Sequence, residues 1–174
     1  MRIKTAGLPF RSDSVADPLV AQCRERAAFA FLATRPKTDR TSAFGMVSPG
    51  GIDPPKSWHD CGIAIFRSDS VLLLRHGHPN DEARPGHPLY SAEADAGVLE
   101  IEDSPWLDEV VAINAVKFPA SRNRFGNVRH HFFPFKETTL EVLWTDFFYE
   151  HSERPFLEIS ESLVQWVLQE RGEP

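Results

Sequence analysis

Only two cysteines, Cys23 and Cys61, occur in the 174 residues, far apart and with no CxxC pairing. A disulfide framework or a zinc knuckle needs more thiols at closer spacing, so these two are expected to be buried thiols in a reducing compartment. Long apolar runs are equally scarce. The longest, Ala27 to Ala33 (AAFAFLA), is about a third of the ~20 residues that a bilayer-spanning helix requires. The amino terminus has Arg2 and Lys4, then TAGLPF and RSDSVADP, without the apolar stretch of a secretory signal. A cytoplasmic location is the expectation, with no membrane association.

Negative charge is missing from one stretch. The 27 residues from Val110 to Lys136 hold no Asp or Glu, in a chain of net charge −6. Lys117, Arg122, Arg124, Arg129 and Lys136 give this window +5, against −11 for the remainder. An acidic total, with pI near 5.6, argues against a general nucleic-acid or membrane-surface binder. A basic patch in an acidic protein can still attract one specific anion.

What is plentiful is core material: 41% of residues are hydrophobic, with thirteen Phe and four Trp. That suffices for one folded domain over residues 1–174. Asp17-Pro18 has the grammar of a helix start, and Leu19, Val20, Cys23 and Ala27 fall on one helical face, which predicts a helix near 18–28. FAFLAT is expected to continue as a strand. Arg35 to Pro55 is rich in turn formers, and Cys61 to Arg75 holds two short apolar runs around a four-residue connection, which suits a hairpin. A strand at 98–102 follows an excursion over 76–90. Ser104-Pro105-Trp106 opens a second helix over 105–117, stopped by Pro119. Residues 129–148 form a second hairpin turning at Lys136-Glu137-Thr138, and a last helix is expected at 159–171. The sum is an α+β fold, an antiparallel sheet of hairpins with helices packed against it.

The leading site candidate is the segment SRNRFGNVRHHFFPF. Arg122, Arg124 and Arg129 offer planar donor forks for carboxylate or phosphate, and Gly126 permits close backbone approach. His130 and His131 complete the set. On a strand they face opposite sides, and one could act as a general base oriented by Glu141 on the facing strand, although no nucleophile is evident to complete such a site. The alternative to a ligand site is solvated arginines paired with the acidic C-terminal segment. The function expected from this pattern is non-catalytic binding of a small anionic ligand or an acidic protein partner, with no cofactor; homo-oligomerisation is left open. Phe125, Phe132, Phe133 and Phe135 among the charges also allow a stacking platform for single-stranded nucleic acid, though the aromatic consensus of RNA-recognition modules is absent.

The rival from another class is a metal-dependent hydrolase using a divalent metal such as zinc on His76, His78, Asp81 and His87. His76-Gly77-His78-Pro79-Asn80-Asp81 is superficially similar to the H-x-H-x-D-H signature of the metallo-β-lactamase superfamily. It departs at the fifth position, Asn80, and at the sixth, Asp81, and no βαβ alternation surrounds it, so membership is not implied. No G-x-S-x-G elbow and no Walker lysine spacing occur.

Overall fold

A computed structural model describes residues 1–8, 10–12, 17–36, 44–45, 58–90, 97–119 and 124–169. It is an α+β fold of two antiparallel sheets with two helices packed against them. The first sheet takes the order β1 (Arg2–Thr5), β8 (Leu99–Glu102), β9 (Arg129–Pro134), β10 (Thr139–Trp144) and β7 (Val71–Gly77). The second takes the order β2 (Arg11–Ser12), β4 (Arg26–Pro36), β6 (Trp58–Ser68), β11 (Phe148–Ser152) and β5 (Phe44–Gly45), with β3 (Leu19–Cys23) also on β4. α1 spans Pro105–Lys117 and α2 spans Phe156–Leu168.

The expected helix at 18–28 is instead the β3–β4 hairpin. Cys23 pairs with Arg26 across a two-residue connection, Arg24-Glu25, in which Arg24 takes φ 56°. Alternation then sorts the apolar residues. Ala27, Phe29, Phe31 and Ala33 point into the space between the sheets, whereas Ala28 and Ala30, with Leu19, Ala21 and Cys23, face α2. A strand buried on both faces reads as a continuous apolar run, which is why AAFAFLA carries no period of two.

The single sheet and the 61–75 hairpin also need correction. β6 and β7 both exist, but they belong to different sheets: β6 pairs with β4 and β11, β7 with β10. The second expected hairpin is real over β9 and β10, but its return strand ends at Trp144 and the chain crosses to the other sheet as β11. The two crossings are tied together. Ser70 Oγ donates to Asp146 Oδ1 at 2.7 Å, and the Thr145 N–H donates to the Ser70 carbonyl at 3.3 Å.

Between the sheets lies an aromatic core. Phe29 stacks on Phe66 with centroids 5.0 Å apart, and Phe133 meets both edge-on at 4.9 and 5.3 Å. α2 covers the outer face of the second sheet through Ile159, Leu163 and Val167. It starts three residues before the expected 159, and residues 170–174 lie outside the described residues. α1 covers part of the outer face of the first sheet as expected. Ser104 caps it, its Oγ accepting the Leu107 N–H at 3.1 Å; Pro105 stands where a missing N–H costs nothing, and Asp108 lies in the first turn. Trp106 and Val110 are its buried residues. No helix among the described residues is long and apolar enough to cross a membrane.

Candidate functional site

The β9–β10 hairpin positions the chemistry. Alternation sends His130 and Phe132 to the α1 side of the first sheet, and His131 and Phe133 into the aromatic core. The two histidines do face opposite sides, yet both are 1% exposed. Neither can contribute to a surface patch.

On the core side, His131 Nδ1 accepts a hydrogen bond from Trp144 Nε1 at 2.8 Å, and the ring lies against Phe147. Burial, aided by the nearby charges of Arg129, His130 and Lys4, pushes its pKa down to about 3. It is a neutral acceptor holding an indole in place.

On the α1 side, His130 belongs to a buried polar chain drawn from four parts of the sequence. Its Nδ1 is 2.8 Å from Ser104 Oγ, and its Nε2 is 3.0 Å from Glu141 Oε2. Ile101 pairs with His130, which carries the β8 end and its Ser104 to the ring; Glu141 sits on β10 diagonal to His130 on the same face. The other carboxylate oxygen of Glu141 is 3.8 Å from His87 Nε2. His87 Nδ1 accepts the Leu89 N–H at 3.2 Å, which leaves Nε2 to carry the proton toward Glu141. Burial lowers the His87 pKa despite that carboxylate. The indole of Trp106 meets His130 edge-on at 5.3 Å, and Arg75 lies over the outer face of that indole, 4.0 Å from its centroid.

A cavity of about 510 Å³ opens beside this chain, at the junction of β8 and α1. Glu100, Glu102, Asp103, Ser104, Asp108 and Arg129 are its polar lining, and Leu107, Val111, Phe125 and Val128 are among its apolar residues. Glu102 is bound by Lys4 at 2.7 Å, and Glu100 is 3.5 Å from the same ammonium. This pairing raises the Lys4 pKa and lowers that of Glu102. Arg129 is half-buried here and has no salt bridge among the described residues. No protein-family model, curated protein or solved structure matches the chain.

The described residues of the basic window differ in exposure. Arg124 is exposed, Arg129 reaches the cavity, and Arg122 lies outside the described residues. The pairing of its arginines with the acidic C-terminal segment does not occur among the described residues; Glu150 of that segment pairs with Arg67 instead. Phe132, Phe133 and Phe135 are at most 1% exposed, so they offer no platform for bases.

The metal candidates are not brought together. His76 is exposed with Nε2 3.2 Å from Thr138 Oγ1, His78 and Asp81 are also exposed, and His87 turns away toward Glu141. Among the described residues no three His, Cys, Asp or Glu side chains converge as metal ligands. The excursion over 78–90 instead packs on the sheet, with Leu89 in the core beside Phe132 and Arg84 donating from its guanidinium to the Phe135 carbonyl.

The sequence offered one of His130 and His131, without choosing between them, as a partner of Glu141, and Ser104 only as a helix cap; the structure places His130 beside both. The hairpin alternation reveals the first relation. The second depends on the β8–β9 pairing, to which no local signal points.

Proposed function

We propose that this chain is a ligand-binding domain whose ligand occupies the cavity at the β8–α1 junction and is held through an anionic group by Arg129. The observation that carries this reading is the position of Arg129, a half-buried residue lining a cavity without a carboxylate partner among the described residues. A planar guanidinium fork is suited to bidentate capture of a carboxylate or a phosphate. At about 510 Å³ the space falls within the range of small-molecule sites.

The acids of the lining refine the ligand class. Glu100 and Glu102 are offset by Lys4 and Arg2, whereas Asp103 and Asp108 have no salt bridge among the described residues. Their charge disfavours a polyanion, so a single carboxylate or a small monoester is preferred over nucleic acid. The test is an amide NMR titration with acetate and with inorganic phosphate. Saturable shifts centred on Ser104, Phe125–Arg129 and the first turn of α1, lost in Arg129→Ala, are the expected result. Shifts spread evenly over the surface, or unchanged in Arg129→Ala, would reject the site.

A further inference from the structure

We propose that Ser104 is a nucleophile, that His130 is its general base and Glu141 the residue that positions His130, and that the chain hydrolyses small carboxylic esters admitted by the cavity. The inference rests on the cavity as the ligand site. Three elements supply the three groups, and the order of contacts is that of a nucleophile, a base and an orienting acid: Ser104 Oγ to one ring nitrogen at 2.8 Å, Glu141 Oε2 to the other at 3.0 Å. Here Nδ1 faces the hydroxyl and Nε2 the carboxylate.

The hydrogen bonds set the polarity. A carboxylate accepts only, so Nε2 carries a proton, and in the neutral tautomer Nδ1 accepts from the Ser104 hydroxyl. The Leu107 N–H occupies one lone pair of Oγ. Among the described residues Oγ has no hydrogen-bond partner other than His130 and Leu107, and Ser104 lies in the cavity wall. Trp106 packs edge-on against the imidazole and Arg75 packs over Trp106, which restrains the ring from turning away. Of the three groups Ser104 alone lines the cavity; His130 and Glu141 stand behind it. The backbone supports this placement. Asp103, between β8 and Ser104, takes φ 53°, a left-handed conformation in a residue with a Cβ, so the chain reaches Ser104 through a sharp strand-to-helix turn. A helix cap alone requires neither an imidazole beneath the hydroxyl nor a carboxylate beneath the imidazole.

The reaction balances with water as co-reactant. Ser104 Oγ bonds to the ester carbonyl carbon while its proton passes to His130 Nδ1. The C–O bond to the alcohol breaks and His130 returns that proton to the leaving oxygen. Water then attacks the acyl-serine, His130 taking one of its protons and giving it to Oγ, so a carboxylic acid leaves and Ser104 is restored.

The test uses two uncharged probes, phenylmethanesulfonyl fluoride and p-nitrophenyl acetate, which report on Ser104 independently of any anion held by Arg129. Peptide mapping is expected to place one sulfonyl group on Ser104, with loss of fluoride. Ser104→Gly keeps a competent helix cap but loses the buried bond to His130, so it should stay folded with a lowered melting temperature and lose both labelling and hydrolysis. His130→Gln should slow hydrolysis by about 100-fold or more. Glu141→Gln should slow it by about tenfold or more and shift the pH profile, with partial rescue by Glu141→Asp. The ionisable groups around the His130 ring in that profile are Ser104 from the α1 cap and Glu141 from β10, with His87 beyond the carboxylate and Arg75 beyond Trp106. An unlabelled Ser104 in folded wild-type protein, or wild-type hydrolysis by Ser104→Gly, would overturn the proposal. Failure of the anion reading is separate, appearing as unchanged acetate binding in Arg129→Ala.

Discussion

Replacing His131 by Gln should remove a large part of the acid sensitivity of this fold. In the folded chain His131 is enclosed by Trp144, Phe147 and Phe133 and accepts the Trp144 indole proton on Nδ1 at 2.8 Å. Burial depresses its pKa to about 3, whereas the unfolded chain binds the same proton near 6.5. A depressed histidine contributes stability that is intact above pH 6.5 and lost as pH falls, because the unfolded state gains the proton first. Each pH unit below 6.5 therefore lowers stability by about 1.4 kcal/mol through this one residue, roughly 2 kcal/mol by pH 5. The loss approaches about 5 kcal/mol near pH 3, comparable to the whole stability of many domains. Gln stays neutral and its carbonyl can still accept from Trp144. Urea unfolding at pH 7.5, 6.0 and 5.0, for wild type and His131→Gln, measures the difference. The variant is expected to start less stable at pH 7.5, from imperfect packing, but to lose about 2 kcal/mol less between pH 7.5 and 5. Parallel pH dependences in the two proteins would refute the assignment of His131 as a buried neutral acceptor.

Two further substitutions test the packing. Phe66→Ala should lower stability by about 3–5 kcal/mol in chemical unfolding, since the ring is fully buried and contacts Phe29, Phe31, Phe133 and Phe147 across both sheets; a loss under about 1 kcal/mol would contradict the two-sheet core. Gly62→Ala should cost about 2 kcal/mol or more, because Gly62 has φ +93° and an added Cβ would stand 2.6 Å from the Ser152 carbonyl oxygen. An unchanged melting temperature in that variant would contradict the close approach of β6 and β11.

The parts of this fold that were legible in the sequence are those governed by local chemistry. Ser104-Pro105 ahead of an acidic first turn marks α1, and period-two alternation marks the β9–β10 hairpin. The β3–β4 region misled because its turn, Arg24-Glu25, has no Gly, Asn or Pro to announce it, and because Leu19, Val20, Cys23 and Ala27 match a helical face by spacing alone. Likewise, residues 67–70 have the composition of a hairpin turn but carry the chain from one sheet to the other; only the pairing of β6 with β11 and of β7 with β10 distinguishes the two, and those contacts are remote in sequence. The site shows the same division. The opposite facing of His130 and His131, and the relation of His130 to Glu141, follow from strand geometry. The burial of both rings and the meeting of Ser104 with His130 follow from tertiary packing. The acid-free window is a real feature of the sequence. Among its described residues it comprises the later turns of α1, an exposed turn, part of a cavity wall and the core strand β9.

The direction of the hydrogen bonds through His130 is the point on which the account of the site turns, and long-range proton–nitrogen NMR of the histidine rings at pH 7.5 reads it directly. The expected spectrum shows the His130 proton on Nε2, toward Glu141, with Nδ1 bare and accepting from Ser104. A proton on Nδ1 would make Ser104 the acceptor and contradict the account, leaving the hydroxyl a helix cap with no base to activate it.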